Sequence, residues 1–235
     1  MSKKQDIDCI PSDVHFKSIF SELNSEEIQH LSSVTRCILL KKGASVFMEG
    51  FYPRGLYYVN KGKIKITQMG VDGREQIIHL AKDTDVMGYR AILSGDRYSC
   101  SATVMEDASL YFIPKEAFFL LIEKNSKFAL QVLQLFSKEL KEAEKKITTI
   151  AQRPVKERIA QSLLLLCEYY GFEKDGCTLA IVITREEIAN ISGSTRETVI
   201  RALLEFQKDN IIALSGKEIK ILQMEALRKA ANTFP

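Results

Sequence analysis

No stretch of this chain approaches the roughly 18 consecutive apolar residues of a membrane span, and the start, Met1-Ser2-Lys3-Lys4-Gln5-Asp6, has no apolar core after its lysines. A cytoplasmic protein with no membrane partner is therefore expected. Tryptophan is absent, and with 12 Gly, 5 Pro and 46% hydrophobic residues the composition is neither fibrous nor that of a disordered tail. Cysteine is sparse: Cys9, Cys37, Cys100, Cys167 and Cys177 are scattered, odd in number, and without Cys-x-x-Cys or His/Cys ligand spacing. This excludes a sequence-evident metal cluster and predicts reduced thiols. No Gly-rich phosphate loop and no nucleophile motif is present, so no enzyme, catalytic residue or metal site is expected. A large charge excess is lacking too: 33 basic against 30 acidic side chains give a net charge of +3. From Thr184 onward eight Lys/Arg face seven Asp/Glu, so charge alone does not single out a nucleic-acid binder. Pattern must carry the case.

The 235 residues suggest two domains. From Val34 to Pro114 short strand-like runs alternate with glycine turns: Leu56-Tyr57-Tyr58-Val59 before Asn60-Lys61-Gly62, Ile64-Lys65-Ile66-Thr67, and the hairpin signal Asp72-Gly73 before Ile77-Ile78-His79-Leu80. An antiparallel barrel or roll follows from that spacing. A short helix precedes it, with Asn24 or Ser25 as cap and Glu27 in its first turn. Between Lys115 and Gln152 there is neither Gly nor Pro. There Ala129, Leu133, Phe136, Leu140, Ala143, Ile147 and Ile150 recur at alternating intervals of four and three, a heptad seam flanked by charges. Because the flanks are so charged, the seam reads as the contact with a second copy of the same helix. Arg153-Pro154 ends it, and Pro154 suits the first turn of a helix running to about Tyr170. A turn at Lys174-Asp175-Gly176 and a strand at Leu179 to Ile183 are expected next. The boundaries are drawn as 1–120 β-rich domain with its N-terminal helix, 121–152 dimerisation helix and 153–235 C-terminal domain.

Thr184-Arg185-Glu186-Glu187 is a capping box, so a helix starts there. It meets Ser192-Gly193-Ser194, a tight turn, after which Ser194 or Thr195 caps a second helix to about Lys208. Two short helices on a glycine turn are the helix-turn-helix pattern. On the second helix, at about 195–207, Val199, Ala202, Leu203 and Phe206 share one stripe, while Glu197 and Arg201 lie opposite and Arg196 sits in the first turn. Ile211 to Leu214, Ser215-Gly216-Lys217 and Glu218 to Ile221 read as a wing. Glu197 and Arg201 at i,i+4 could be a plain surface ion pair. Against that stands Arg196, because recognition helices present their N-terminal residues to bases, Arg to guanine and Glu to cytosine N4. The rival reading is a β-roll sensor docking another protein without transcriptional output. That helix would not need a charged outer face.

Ile188-Ala189 through Gly193-Ser194-Thr195-Arg196-Glu197-Thr198-Val199-Ile200-Arg201, with Gly216-Lys217, resembles the winged helix-turn-helix of the Crp/Fnr superfamily. Lys42-Gly43 to Glu49-Gly50, Leu56 to Lys63, Asp72-Gly73-Arg74-Glu75, Gly88 and Ser101-Ala102-Thr103 are similar to its cyclic-nucleotide-binding β-roll. The resemblance covers nearly the whole chain. It implies an α+β fold of N-terminal antiparallel β-roll, long central dimerisation helix and C-terminal winged helix-turn-helix. It further implies a homodimer on a palindromic operator with half-sites like TGTGA, and RNA polymerase as partner of an activator. Arg196, Glu197 and Arg201 would read bases, and Thr184, Arg185, Thr195, Thr198 and Lys217 would contact phosphates. The effector pocket would comprise Gly88, Tyr89, Arg90, Arg97, Cys100 and Ser101. Where cyclic-AMP-binding members carry Gly-Glu and Arg-Ser, this chain has Gly88-Tyr89 and Cys100-Ser101, so cyclic AMP is not the expected effector. The multi-cysteine motif of iron-sulfur members is absent, since only Cys9 lies near the start. His15, His30 and His79 are the available haem ligands, each more often structural.

Overall fold

The computed structural model describes residues 18–232. They fall into two compact units, one of residues up to Met69 with Ile78–Lys141, the other of Gly70–Ile77 with Glu142 onward. Among the described residues no helix is long and apolar enough to cross a membrane.

In the first unit the lead-in is helix α1 (Ser25–Val34). The Asn24 side chain accepts from the Glu27 amide and the Glu27 carboxylate from the Asn24 amide, each at 2.9 Å, the reciprocal cap its sequence encodes. Strands β1 (Arg36–Leu40), β2 (Ser45–Phe47), β3 (Gly55–Lys61), β4 (Ile64–Met69), β5 (Glu75–Ala81), β6 (Val86–Met87), β7 (Ser101–Val104) and β8 (Ala108–Pro114) form two four-stranded sheets, ordered β1-β8-β3-β6 and β2-β7-β4-β5. Side-chain alternation gives β3 and β8 a place in two cores. Val59 and Leu110 point between the sheets with Ile64, Ile66, Ala102 and Val104. Their neighbours Leu56, Tyr58, Tyr111 and Ile113 point the other way, onto a helical layer containing Leu31, Phe118, Leu121, Phe128 and Val132. Each large apolar side chain so buried contributes about 1.5 to 3 kcal/mol of transfer free energy.

That layer comprises α2 (Tyr89–Ser94), α3 (Lys115–Lys124) and the start of α4 (Ser126–Gln152). The run from Lys115 without Gly or Pro breaks at Asn125, where the backbone is extended, at φ −124° and ψ 98°. The Asn125 side chain caps the new helix by accepting from the Phe128 amide at 3.0 Å, and it donates to the Glu27 carboxylate. The long helix therefore begins at Ser126, five residues beyond the expected 121.

In the second unit Pro154 precedes α5 (Val155–Tyr170), followed by α6 (Arg185–Ser192), α7 (Arg196–Lys208), the antiparallel pair β9 (Ile212–Ser215) and β10 (Glu218–Ile221), and α8 (Met224–Ala230). The strand expected at Leu179 to Ile183 does not form. Leu179, Ile181 and Ile183 are buried with period two, but the backbone makes only isolated bridges, Phe172 to Leu179 and Thr178 to Lys220. The apolar alternation reports burial here: β10 meets the segment only around Cys177 to Leu179, too short a stretch to make a ladder.

The thiols need a correction. Cys100, Cys167 and Cys177 are free, but Cys37 is disulfide-bonded, against the expectation that all are reduced. An isolated pair of cysteines carries no spacing signal that would have revealed this. Cys9 lies outside the described residues.

Candidate nucleic-acid interface

Thr184 caps α6: its hydroxyl accepts from the Glu187 amide at 3.1 Å, and Glu187 accepts from the Thr184 amide at 2.9 Å. Gly193 ends the helix at φ +61° and ψ 48°, left-handed geometry that suits glycine. Thr195 then starts α7, its hydroxyl accepting from the Thr198 amide at 3.3 Å. Arg158 of α5 was not read from the sequence. Its Nε donates to the Ser192 carbonyl at 2.9 Å and its Nη2 to the Gly193 carbonyl at 3.0 Å, fixing the turn between the helices. Its sequence signal was slight: a single arginine next to the buried Ile159 of α5.

Val199, Ala202, Leu203 and Phe206 are buried, which anchors α7 and sets its outer face. On that face Arg196, Glu197, Ile200, Arg201 and Leu204 are exposed. Among the described residues no ion pair joins Glu197 to Arg201. The Arg201 guanidinium instead lies 3.5 Å from the Thr198 hydroxyl, and Glu205 pairs with Lys156 of α5 at 2.5 Å. Three charged side chains of the recognition helix thus remain presented to solvent.

The wing turn Ser215-Gly216-Lys217 joins β9 to β10, with Lys217 exposed. Arg185 donates through Nη2 to the Gly216 carbonyl at 3.1 Å and is half-buried, its Nη1 without a partner. Burial lowers its pKa. It holds the turn that carries Lys217.

On α4 the seam residues divide. Phe136 turns inward, edge-on to Tyr89 at 5.1 Å between ring centroids. Leu133, Leu140 and Ile147 are 62%, 62% and 68% exposed in the single chain, with Ala143 and Ile150 also exposed and Ala129 half-buried. Such a run of bare large aliphatics beside charged neighbours is a surface made to be covered.

The roll of the first unit encloses a cavity of about 60 Å³ whose lining includes Gly88, Tyr89, Arg90 and Cys100. Arg97 and Ser101 lie elsewhere. Arg97 sits over the Tyr52 ring at 4.4 Å and donates to the Gly50 carbonyl, while the Ser101 hydroxyl accepts from the Glu49 amide. Tyr98 takes the inward place, stacked on Phe47 at 4.2 Å between centroids. Tyr98 lies outside the strands, between α2 and β7, and no local sequence signal marks it as the residue that faces inward. Burial raises the Cys100 thiol pKa, so its thiolate is not favoured. His79 lines the cavity and His30 is exposed, whereas His15 lies outside the described residues. No group of three or more His, Cys, Asp or Glu able to hold a metal occurs among the described residues.

A roll with an internal cavity, a long helix bearing an uncovered apolar stripe and a winged helix-turn-helix with a charged outer face define a DNA-binding regulator, not an enzyme. Comparison with known proteins agrees. The cyclic nucleotide-binding domain family matches residues 38–125 and the Crp-like helix-turn-helix domain family residues 157–230. The fumarate and nitrate reduction regulatory protein of Vibrio cholerae is 32% identical over 213 residues, covering 89% of this chain and 84% of the relative. The CRP-like cAMP-activated global transcriptional regulator of Mycobacterium tuberculosis is 28% identical over 214 residues, covering 91% and 96%. A Crp/Fnr-family regulator from Eubacterium rectale shares the fold, with a TM-score of 0.77 at 23% identity over 94% of this chain and 100% of that one. The chain belongs to the Crp/Fnr family of DNA-binding transcription regulators.

A cyclic nucleotide does not fit the residues present. Arg90, the one Arg or Lys side chain in the cavity lining, is 66% exposed and 3.9 Å from the Glu139 carboxylate. A phosphate there would meet a carboxylate and no buried cation. The cavity is also well below the roughly 150 Å³ that holds benzene.

Proposed function

We propose that this chain acts as a homodimer in the cytoplasm, each protomer reading one half of a palindromic operator through α7, under control of a signal sensed by the β-roll. Arg196, Glu197 and Arg201 read base edges, the arginines on guanines and Glu197 on a cytosine N4. Thr184, Thr195 and Thr198 present helix N-termini to phosphates, and Lys217, held by Arg185, contacts the backbone from the wing. RNA polymerase is the further partner if the protein activates. Dimerisation covers the exposed part of the seam on α4.

The observation that carries this reading is the outer face of α7, where Glu197 and Arg201 stand exposed with no ion pair between them, on a helix whose start is capped and whose preceding turn is pinned. Selection of binding sites from random duplexes tests it. Arg201→Ala should cost about 1 to 3 kcal/mol per half-site and relax preference at one base pair, whereas Lys217→Ala should weaken all sequences alike and reduce the salt slope by about one. An Arg201→Ala selection that keeps the wild-type preference at every position would make the arginine structural.

A further inference from the structure

We infer that Ile200 reads a thymine through its C5-methyl group, so that each half-site carries a T·A pair selected by apolar contact, with Leu204 extending the same apolar strip. This rests on the reading of α7 as the recognition helix and adds a specificity-determining residue to it. At about 100° per residue, the outer face of α7 carries two rows of side chains. Arg196, Ile200 and Leu204 make one row, and Glu197, Arg201 and Glu205 the other. Ile200 is 36% and Leu204 55% exposed. A single exposed aliphatic is ordinary on a protein surface. Two on successive turns, beside Glu197 and Arg201, form an apolar strip on the face assigned to the groove.

Folding does not explain Ile200. Val199, Ala202, Leu203 and Phe206 supply the buried contacts of α7, and a branched Cβ at an exposed helical position lowers helix propensity. What the branch supplies is stiffness: χ1 of isoleucine in a helix is held near one rotamer, so the side chain meets a partner with little entropy to lose. In the major groove the apolar feature is the thymine methyl. Cytosine presents an N4 donor there, and adenine and guanine present N7 acceptors, none of which an aliphatic side chain satisfies. Ile200 follows Arg196 by four residues, a rise of about 6 Å against roughly 3.4 Å per base pair. Its thymine therefore lies within about two base pairs of the base that Arg196 reads. Leu204, a further turn from the helix start, flanks the contact and excludes water from it.

The test starts from the site selected out of random duplexes and replaces each thymine in turn by deoxyuridine, which deletes the methyl and leaves every hydrogen-bonding group in place. Affinities are measured with full-length wild type, Ile200→Ala and Ile200→Val. With wild type, one position per half-site should lose about fourfold for the methyl removed, the transfer free energy of one buried methyl group. Ile200→Ala should bind the thymine and deoxyuridine duplexes alike, and Ile200→Val, which keeps the branch, should retain most of the difference. Alanine is the better helix former and the position is exposed, so α7 is retained. Wild type indifferent to every methyl, or Ile200→Ala keeping the wild-type difference, would overturn the inference. Arg201→Ala on the same duplexes separates this from the reading beneath it. A guanine preference lost with Arg201→Ala, alongside no methyl effect, removes Ile200 alone as a reader. An unchanged guanine preference alongside no methyl effect removes α7 as the reader altogether.

Discussion

Tyr89 concentrates the tension between a family-typical fold and an atypical pocket. Its ring is well packed, against Phe136 among others, and its hydroxyl faces the Glu139 carboxylate. Removing that hydroxyl should therefore destabilise the protein: Tyr89→Phe is expected to lower the unfolding free energy by about 1 kcal/mol, read as a lower thermal midpoint. A higher midpoint would contradict the bond to Glu139. Gly193 illustrates the opposite cost. At φ +61° an added Cβ meets only the Gln76 side chain, at 3.7 Å, so Gly193→Ala should lose about 1 to 2 kcal/mol from backbone strain alone. Denaturant titration checks this, and an unchanged midpoint would contradict it. Glycine at the turn of a capped helix was legible in the sequence because its φ requirement is local. Tyr98 in the pocket was not, because it lies outside the strands and is placed by backbone bonds to Gly50 and Phe51, far away in sequence.

At the scale of elements, the helices with chemical start signals appeared where the sequence placed them. Asn24, Thr184 and Thr195 each precede a helix, since a cap is a contact within four residues, and Pro154 precedes another through its fixed φ, without a cap bond. Two features escaped. Asn125 divides α3 from α4 with a local cap on the Phe128 amide, inside a run with neither Gly nor Pro, while also holding Glu27 from nearly a hundred residues away, and the alternation after Leu179 marks buried loop. The heptad seam was half legible: its period gave the stripe, but not that Phe136 would be drawn into its own unit by Tyr89. Leu140 decides what the stripe is for. It is 62% exposed in the single chain, so Leu140→Glu should leave the protomer folded while burying unpaired carboxylates at a two-fold contact, at a cost of several kcal/mol. Sedimentation should show a folded monomer. A dimer of unchanged stability would place the interface elsewhere.

For the whole molecule, the proposed readout assigns α7 and the wing to DNA and depends on two protomers acting together. The near balance of charge, a net +3, gives little non-specific attraction, so specificity must come from the few side chains on the outer face of α7 and from the doubling of that face by dimerisation. Two recognition helices related by a two-fold axis reach successive major grooves about 34 Å apart, one helical turn. The most direct test is to insert five base pairs between the half-sites of the selected palindrome and measure affinity at fixed salt. That insertion turns one half-site to the opposite side of the duplex. Affinity should fall to that of a single half-site, and a ten-base-pair insertion should restore more of it than the five-base-pair one. Equal affinity for all spacings would contradict dimeric readout by paired helices.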